Sequence, residues 1–417
     1  MRFLLLNQTF YPDVMATGQY LGEVAVALVQ QGHEVTVVTS RRAYDDPARI
    51  FPKAETWKGV RILRIGSTGF GKANKWRRAA DFGSFLVSCA WRVFTLPRQD
   101  VILALTSPPL ISVLGAVAAR WRRSRFVYWV MDFNPDEAIA AGWLRAGSLA
   151  ARLLDRMSRL SLRQANRIIA LDRFMRDRIV AKGINREKIV VLPPWAQDKD
   201  VQFDSAGRER FRKAHGLEGK FVVMYSGNHS PCHPLDTLVR AAERLNGDRD
   251  IVFCFIGGGS EWRKIKAQAP SLPPGHSNVL CLPYQPLSDL SGSLSAADLH
   301  VVVMGDPFVG LVHPCKIYNI LSVNAPVLYI GPGMSHITDL AGTLNSQFAC
   351  ARHGDVAGIV QAIQHARCEP SRHHLPASVR ASISKTNLLP RLLEALTDRG
   401  NDNAVGSRAA TSQLIPL

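Results

Sequence analysis

The chain has 417 residues, with 51 Lys and Arg against 34 Asp and Glu, which gives a formal net charge of +17. Hydrophobic residues make up 47% and charged residues 20%, an ordinary globular composition that argues against long disordered stretches. At roughly 150 residues per domain, this length predicts two or three domains. No run of about 18 uninterrupted apolar residues occurs, so we expect no bilayer-spanning helix.

The positive charge is concentrated in the first half of the chain. Residues 1–205 hold 31 Lys and Arg against 18 Asp and Glu, or +13, and residues 206–417 hold the remaining +4. Such an excess favours an anionic partner, which leaves nucleic acid, an acidic membrane surface or phosphorylated substrates as candidates. The apolar run Phe3–Leu6 is too short for a signal peptide. The seven Cys are scattered without a CxxC pair, so we expect free thiols in a reducing cytoplasm and no Cys-based metal site.

The first elements in the chain form a βαβ unit. Arg2–Asn7 is a short apolar run, Tyr20–Gln31 has helical spacing, and Val35–Thr39 follows after Gly32 as a β-branched run. Alternation then continues through five further predicted strands: Val60–Ile65, Val101–Leu105, Phe126–Val130, Arg167–Leu171 and Lys188–Leu192. This pattern predicts a doubly wound α/β domain over residues 1–195.

The segment Pro193–Ser205 is rich in Pro and Asp and lacks periodicity, which predicts an interdomain linker. The pattern then restarts with the predicted strands Phe221–Ser226, Ile251–Ile256, Val279–Leu282, Leu299–Met304 and Pro326–Ile330, and with helices such as Asp236–Leu245 and Lys316–Val323. We therefore expect a second Rossmann-like domain over residues 206–385, a terminal helix over 386–398 and a flexible tail over 399–417.

In open α/β sheets, ligands bind beyond the carboxyl ends of the strands. The loop after the first predicted strand has no G-x-G-x-x-G, and Gly257-Gly258-Gly259 alone is weak evidence for a dinucleotide, since it could equally hold one phosphate. Lys316 opens a helix, where the helix dipole disfavours a cation, so a phosphate beside it would explain its position. A solvated lysine is the alternative.

Seven segments of the chain together carry a family resemblance. They are NQTFYPDVMATGQYLGEVAVALVQQGHEVTVVTS, MDFNPDEAIAAGWL, ANRIIALDRFMRDRIVAKGINREKIVVLPPW, YSGNHSPCHPLDTLVRAAERL, FIGGGSEW, LPYQPLSDL and HPCKIYNILSVNAPVLYIGP. Their order resembles that of the family-four retaining glycosyltransferases, and in particular those that build bacterial exopolysaccharide or lipid-linked surface glycans. The resemblance covers about nine tenths of the chain.

The resemblance implies a GT-B fold, in which two Rossmann-like domains face each other across a cleft. The C-terminal domain would hold a nucleoside-diphosphate sugar, expected to be UDP-linked, as co-substrate without any cofactor. The N-terminal domain would hold a glycan or polyprenyl-diphosphate-linked acceptor. The terminal helix would cross back to the first domain. Two other functions remain open on the same fold, a sugar-nucleotide epimerase and a non-catalytic scaffold.

By resemblance, several residues of the second domain would contact the donor. Lys316 would meet the diphosphate, and Gly18 would offer its backbone N–H from the first domain. The other expected donor-binding residues are Gly227, Asn228, His229 and His233 beside the diphosphate, Gly257 and Gly258 beside the nucleotide, Pro283 and Tyr284 flanking the base, and Asn319 near the ribose. For each glycine, a turn that requires positive φ is the alternative explanation.

Two departures from the family pattern stand near this site. Asn319 occupies the position where the family usually has a ribose-binding Glu, and position 311 is Leu where the broader family has another Glu. The loop SPCH also lacks the Arg or Lys that many relatives place beside the phosphates, so His229 or His233 would have to donate instead.

The two expected catalytic residues are Lys316 and Asp132. Lys316 would stabilise the charge that grows on the leaving diphosphate, an arrangement that requires no metal. Asp132 follows a predicted strand at its carboxyl end and, by resemblance, would orient or deprotonate the acceptor hydroxyl. A loop cap for the following helix is the alternative for Asp132.

A basic, apolar segment in the first domain predicts a membrane patch. It comprises Lys72, Lys75, Trp76, Arg77, Arg78, Phe85 and Trp91. Basic residues with Trp, followed by a mostly apolar helix, are typical of a segment that lies on an anionic membrane. The alternative is a solvated face beside a buried helix. We expect a cytoplasmic protein that is peripheral on the inner membrane, and no nucleic-acid partner, because no such motif is present.

Overall fold

The computed structural model describes residues 1–13, 15–43, 48–70, 75–197, 201–268, 277–344, 348–369 and 375–398, without the side chains of 75, 76, 78 and 79. The chain divides into two compact units. The first comprises residues 1–193 with the C-terminal stretch from Leu389, and the second runs from Pro194 to Leu388.

The first unit is built on a single sheet. Its strands are β1 (Arg2–Leu6), β2 (Glu34–Ser40), β3 (Ala54–Trp57), β4 (Val60–Ile65), β5 (Val101–Ala104), β6 (Arg125–Trp129), β7 (Arg167–Ala170) and β8 (Ile189–Val191). Their order in space, among the described residues, is β3-β4-β2-β1-β5-β6-β7-β8, and every pair is parallel except β3 with β4. Phe3 to Leu6 are at most 1% exposed because β1 lies in the middle of this sheet.

Helices cover both faces of the first sheet. They are α1 (Ala16–Gln30), α2 (Lys75–Thr95), α3 (Ile111–Arg122), α4 (Asp136–Ala140), α5 (Leu149–Gln164) and α6 (Arg173–Ala181). α2 connects β4 to β5, α3 connects β5 to β6, and α5 connects β6 to β7, so these three crossovers all run toward the β8 edge of the sheet. α1 connects β1 to β2 and runs toward the β3 edge. Because crossover connections are right-handed, α2, α3 and α5 lie on one face of the sheet and α1 on the other.

The second unit contains another parallel sheet. Its strands are β9 (Phe221–Asn228), β10 (Ile251–Gly258), β11 (Val279–Leu282), β12 (Leu299–Val303), β13 (Val327–Ile330) and β14 (Phe348–Ala351). The described strands follow the order β11-β10-β9-β12-β13-β14. The helices are α7 (Ser205–Ala214), α8 (Asp236–Arg244), α9 (Ser260–Gln268), α10 (Leu290–Ser295), α11 (Lys316–Ser322), α12 (His336–Leu344), α13 (Val356–Cys368) and α14 (Ala377–Ile383). The last helix, α15 (Lys385–Thr397), begins in this unit and belongs to the first unit from Leu389 onward.

An ion-paired anchor fixes the start of the second unit. Asp204 caps α7, where its carboxylate accepts from the backbone N–H of Gly207 at 2.8 Å. Asp298 immediately precedes β12, and its carboxylate forms ion pairs with Arg208 and Arg212 of α7 at 2.5 Å each. The predicted linker therefore gives way to regular structure at α7, which is tied to the residue that precedes the central strand β12.

The last helix also contributes to the first unit. The Arg125 guanidinium, at the start of β6, donates to the carbonyl oxygens of Leu396 and Ala395 at 2.8 and 3.1 Å. These bonds satisfy two carbonyl groups that the end of α15 would otherwise leave unpaired.

The predicted two-domain α/β fold is confirmed, with two strands that the sequence pattern did not indicate. β3 is a short antiparallel edge strand with partly exposed side chains, and β14 is a partly exposed strand at the edge of the second sheet. Edge strands bury little apolar surface, so they lack the long apolar run that marks a central strand. Among the described helices, none combines the length and apolar character needed to cross a bilayer.

Candidate active site

The carboxyl ends of β9 and β10 meet at a pair of glycines. Gly227 lies opposite Gly257 in the strand register, and the two have φ values of 127° and 135°. A Cβ on Gly257 would stand 2.0 Å from the Gly227 carbonyl oxygen. Both positions therefore require glycine for backbone reasons, so the positive-φ alternative holds for these two residues and leaves their proposed ligand contacts open.

Tyr284 lies against the glycines at the end of β10. Cβ atoms built on Gly257 and Gly258 would lie 3.3 and 3.2 Å from its ring, and Tyr284 is 53% exposed. Gly258 does not have a positive φ, so close approach to the tyrosine ring is the reason for a glycine there. Pro283 beside it is exposed and accepts a hydrogen bond from the Gln285 amide at 2.9 Å. An exposed, supported ring at this edge could stack on a planar base.

Lys316 lies at the start of α11, and its ammonium group is buried without a hydrogen-bond partner among the described residues. The Nζ atom lies 3.5 Å from the centroid of the Tyr225 ring, and a Cβ on Gly227 would be 3.4 Å from it. Burial lowers the pKa of Lys316 well below its ordinary value. Within the described part of the chain, this ammonium group has an aromatic face beside it and no hydrogen bond, an arrangement that could bind an anion.

Tyr225 supports this site, although no feature of the sequence pattern indicated it. It is 1% exposed, its hydroxyl donates to the Asn228 carbonyl at 3.1 Å, and its ring packs edge-on against His229 at 4.6 Å. It lies in an apolar strand, where a tyrosine is expected to be an ordinary residue of the hydrophobic core. Its role as the platform for Lys316 depends on the packing of α11 against this strand, which no local pattern records.

His229 is fully buried directly after β9. Its Nδ1–H donates to the Gly227 carbonyl at 2.8 Å, which leaves Nε2 with a lone pair and without a described partner. Burial, followed by the nearby Lys316 charge, lowers the pKa of His229 to about 3. The neutral ring therefore presents an acceptor at Nε2. As a donor to phosphate, the role expected from the sequence, it would need an added proton.

His233 is arranged in the same way. Its Nδ1–H donates to the Val303 carbonyl at 2.7 Å, which ties the loop after β9 to the end of β12. Burial and the Lys316 charge lower the pKa of His233 to about 3. Two neutral histidines thus stand near one buried lysine, so that lysine supplies the positive charge here.

Asn319 lies one helical turn after Lys316, and its side-chain oxygen accepts from the backbone N–H of Gln197 at 3.3 Å. The Asn319 Oδ1 atom, which was expected to accept from the ribose, therefore holds residue 197 to α11 instead. Leu311, where the broader family has Glu, is 2% exposed and belongs to the core. Asn228, by contrast, is exposed at the end of β9.

In the first unit, Gly18 lies in the first turn of α1. A Cβ there would stand 3.2 Å from the carbonyl group of Thr9, so a glycine is needed for the loop after β1 to pack on the helix. This contact explains the residue structurally, and the approach of its N–H to a donor stays a prediction.

Asp132 is half-buried after β6 and accepts no hydrogen bond from the described residues. The cap position of α4 is Pro135, without a side-chain cap, so Asp132 does not play the capping role that was its alternative. Burial raises the pKa of Asp132 to about 6. A carboxylate that is unpaired and titrates near neutrality can accept a proton from a hydroxyl group.

A partly open cavity of about 110 Å³ lies in the same unit, lined by residues that follow β5 and β6. Its lining is half apolar and half uncharged polar: Thr106, Pro109, Leu110, Ser112, Tyr128, Asn134, Pro135, Ala138, Leu154 and Ser158. The hydroxyl groups of Thr106 and Ser158 are buried without described partners. The cavity offers hydrogen bonds but no charge, which suits an uncharged group such as part of a sugar.

The structure corrects the predicted membrane patch. Phe85 is fully buried with Cys89 and Val93, because these residues recur every fourth position on the side of α2 that faces the sheet. Phe85 therefore cannot contact a membrane. Trp91 lies on the opposite side and is 77% exposed. Arg77 is half-buried, Lys72 lies outside the described residues, and the side chains of Lys75, Trp76 and Arg78 are not described.

Comparison with known proteins agrees with this architecture. Residues 16–195 match the family model of a glycosyl transferase 4-like domain. A protein of Escherichia coli (strain K12), assigned to colanic acid biosynthesis as the glycosyl transferase WcaI, is 25% identical over 415 residues, which cover 94% of this chain and 99% of the relative.

Two solved structures share the fold over nearly the whole chain. Sucrose-phosphate synthase from Thermosynechococcus elongatus has a TM-score of 0.71 at 13% identity, covering 94% of this chain and 98% of its own. Anabaena HepE, solved in complex with UDP and glucose, has a TM-score of 0.69 at 16% identity, covering 95% and 100%. The matched domain and the two doubly wound sheets agree with the GT-B glycosyltransferase fold that the sequence motifs imply.

Proposed function

We propose that this protein transfers a sugar from a UDP-linked donor to a glycan or lipid-linked acceptor, with retention of anomeric configuration, in the synthesis of a bacterial surface polysaccharide. The assignment of the WcaI relative to colanic acid biosynthesis supports the pathway class. The complex of HepE with UDP and glucose supports the donor class.

One observation carries the proposal: the Lys316 ammonium nitrogen is buried, has no hydrogen-bond partner among the described residues, and lies next to Gly227. Leaving-group departure from a nucleotide sugar places negative charge on the diphosphate while the sugar becomes oxocarbenium-like. An ammonium group already stripped of water stabilises this charge without reorganising solvent, as the donors of an oxyanion hole do. The backbone of Gly227 and Gly257, free of Cβ atoms, lets the diphosphate approach.

The two histidines would complete this arrangement by taking up a proton. With the donor bound, two further negative charges stand near His229 and His233, and an anion favours the protonated ring. The carbonyl bonds at Nδ1 then hold each ring so that a protonated Nε2 donates. The leaving diphosphate would be neutralised by Lys316 and these rings, and no metal is required.

Asp132 would act on the acceptor. Its pKa of about 6 keeps it largely ionised at neutral pH, where it can orient or deprotonate the attacking hydroxyl group. The uncharged cavity in the same unit, which Asn134 and Pro135 help to line, would hold part of the acceptor sugar.

The non-catalytic scaffold remains a second candidate because of Asn319. The oxygen that should bind the ribose instead accepts from Gln197 N–H. A scaffold would release no nucleotide from any sugar nucleotide. An epimerase, the other alternative, would release an isomerised sugar nucleotide without an acceptor, whereas a transferase leaks the sugar to water.

Thermal unfolding with UDP, GDP and ADP tests the donor site, and a panel of nucleotide sugars scored for released nucleotide tests the reaction. We expect stabilisation by UDP above the other two, and slow release of UDP and free sugar from one donor. If none of the three nucleotides stabilised the protein, the donor site would be contradicted. Stabilisation by UDP without release from any donor would favour the scaffold.

A further inference from the structure

The cavity of the first unit has room for more than water, and its wall carries no charge. Its volume is about 110 Å³, and it lies between the residues that follow β5 and β6 and the helix α5. A single water molecule needs roughly 10–15 Å³, so a group of several heavy atoms fits. Among the described residues, those that line it include no Lys, Arg, His, Asp or Glu. A phosphate, a carboxylate or an ammonium group would therefore be buried there without a counter-charge.

Two hydroxyl groups in the cavity wall have no partner within the described part of the chain. They belong to Thr106, which follows β5, and to Ser158 of α5, and each residue is 6% exposed. Ser112 also lines the cavity, but its hydroxyl donates to Ser161 at 3.1 Å, and Ser161 donates to the Met157 carbonyl at 3.3 Å. A buried hydroxyl group without a hydrogen bond destabilises the protein, so a ligand that bonds to Thr106 and Ser158 gains free energy.

The rest of the wall is largely apolar. Its apolar side chains are Pro109, Leu110, Pro135, Ala138 and Leu154. Leu110 has a φ of 75°, a left-handed backbone conformation that bulky residues rarely adopt. Strained backbone of this kind concentrates at ligand sites, so the conformation of Leu110 supports a binding role for the cavity.

An acetamido group matches this combination of hydroxyl groups and apolar side chains. Its carbonyl oxygen accepts a hydrogen bond, its N–H donates one, and its methyl group is apolar. A hydroxyl group can both donate and accept, so Thr106 and Ser158 can together serve the oxygen and the nitrogen. A bare sugar hydroxyl would leave the apolar side chains facing a polar group, and a hydrocarbon chain would leave both hydroxyl groups unpaired.

Tyr128 connects the cavity with Asp132. The Tyr128 side chain lines the cavity and is 5% exposed. Burial raises the pKa of Tyr128 to about 12, and the negative charge of Asp132 contributes to the increase. The Asp132 carboxylate is therefore close enough to act on a group in the cavity wall. Asn134 and Pro135, which follow Asp132 in the same loop, form part of that wall.

We propose that this cavity binds the acetamido group of an N-acetylated acceptor sugar. The proposal rests on the proposed function, which assigns the acceptor to the first unit, and it deepens that function by naming the class of sugar. The acetamido group would fix the orientation of the sugar ring, so that the attacking hydroxyl group meets the Asp132 carboxylate.

Saturation-transfer NMR on the full-length protein tests the cavity. The probes are the methyl glycosides of N-acetylglucosamine and N-acetylgalactosamine, and the methyl glycosides of glucose and galactose serve as unacetylated references. We expect both N-acetylated probes to bind, with strong saturation of the acetyl methyl group. The unacetylated sugars should bind at least about tenfold more weakly, because they leave Thr106 and Ser158 unpaired.

The test variant carries Thr106→Val and Ser158→Ala. The matched control is Ser293→Ala, which removes another buried hydroxyl group without a described partner, from the second unit. Each cavity hydroxyl should contribute about fivefold to the Kd, so the test variant should bind the N-acetylated probes about 25-fold more weakly. The control should bind them as the wild type does. Both variants should keep cooperative urea unfolding, because each substitution changes a side chain by little more than its hydroxyl group.

Three results would overturn the proposal. The first is the absence of saturation transfer to either N-acetylated probe in the wild type. The second is equal binding of acetylated and unacetylated probes. The third is a test variant whose Kd for the N-acetylated probes stays within about threefold of the wild type, which would mean that water alone occupies the cavity.

Stabilisation by UDP, measured on the same proteins, separates this proposal from the proposed function. The test variant should keep its UDP stabilisation, because the expected donor site lies in the second unit. Binding of the N-acetylated probes without stabilisation by UDP would contradict the donor and leave the cavity assignment in place. Sugar transfer from a UDP-linked donor at equal rates to acetylated and unacetylated acceptors would leave the proposed function in place and remove the cavity assignment.

Discussion

Replacing Lys316 by Met should stabilise the free protein and at the same time weaken UDP binding. Most substitutions at buried positions destabilise a protein. This one should do the opposite, because the ammonium group is buried without a hydrogen-bond partner among the described residues. Methionine keeps a long, unbranched side chain that can fill the same space without a charge.

The size of each effect follows from the surroundings of Nζ. A lowered lysine pKa means that the folded protein disfavours the charged form by about 1.4 kcal/mol per pKa unit. The contact with Tyr225 returns part of that cost, about 1 kcal/mol, and the remainder is lost with the charge, so we expect Lys316→Met to raise the free energy of unfolding. Losing a charge-assisted hydrogen bond to the diphosphate should cost about 2–3 kcal/mol, or roughly 30- to 150-fold in the Kd of UDP.

Urea unfolding and titration calorimetry with UDP measure the two effects. Lys220→Met is the matched control, because Lys220 in the same unit is partly exposed and ion-paired with Asp250 at 3.2 Å. It should leave the UDP Kd unchanged and alter the stability little. In the wild type, UDP affinity should fall as pH rises through the lowered pKa of Lys316, since only the charged form binds an anion.

The reasoning fails if Lys316→Met destabilises the protein and leaves the UDP Kd within about threefold of the wild type. That result would make Lys316 a structural residue with an unseen partner. A gain in stability with an unchanged Kd would also contradict the site, since the charge would then serve no ligand.

Three further predictions test other parts of the structure. Gly257→Ala should lower the free energy of unfolding in urea by at least about 3 kcal/mol, because its Cβ would meet a carbonyl oxygen at 2.0 Å and φ is 135°. As a control, Gly342→Ala, where the added Cβ meets open space, should be neutral or stabilising. Equal effects of the two substitutions would contradict the strained geometry. Asp132→Asn should lower the rate of sugar transfer at least about 100-fold while UDP still stabilises the protein. The wild-type transfer rate should fall as the pH drops below about 6. A transfer rate that does not change with pH in that range would exclude the carboxylate as base. Thr106→Val should stabilise the protein, because it removes a buried hydroxyl that has no partner among the described residues. Thr39→Val should destabilise the protein, because the Thr39 hydroxyl donates to the Gln8 carbonyl at 2.9 Å. If both substitutions lowered the free energy of unfolding, Thr106 would have a partner.

The sequence by itself determined the order of the elements and the edge at which a ligand site would lie. Buried parallel strands require near-continuous apolar runs, so β1, β9 and β10 are visible without any tertiary information. Their carboxyl ends carry Gly227 and Gly257, and ligand sites of doubly wound sheets lie at such ends. The edge strands β3 and β14 were missed because partial exposure leaves no comparable run.

Only the tertiary structure decided which side chains are buried together. Lys316 and Tyr225 are far apart in the chain, and the loss of water around the ammonium group arises when α11 packs on the end of β9. The rotation of α2 about its axis, which turns Phe85 inward and Trp91 outward, depends on how the helix meets the sheet. Periodicity in the sequence defines a helix, but the surface it faces is fixed by the packing of its neighbours, because burial is a property of the whole fold.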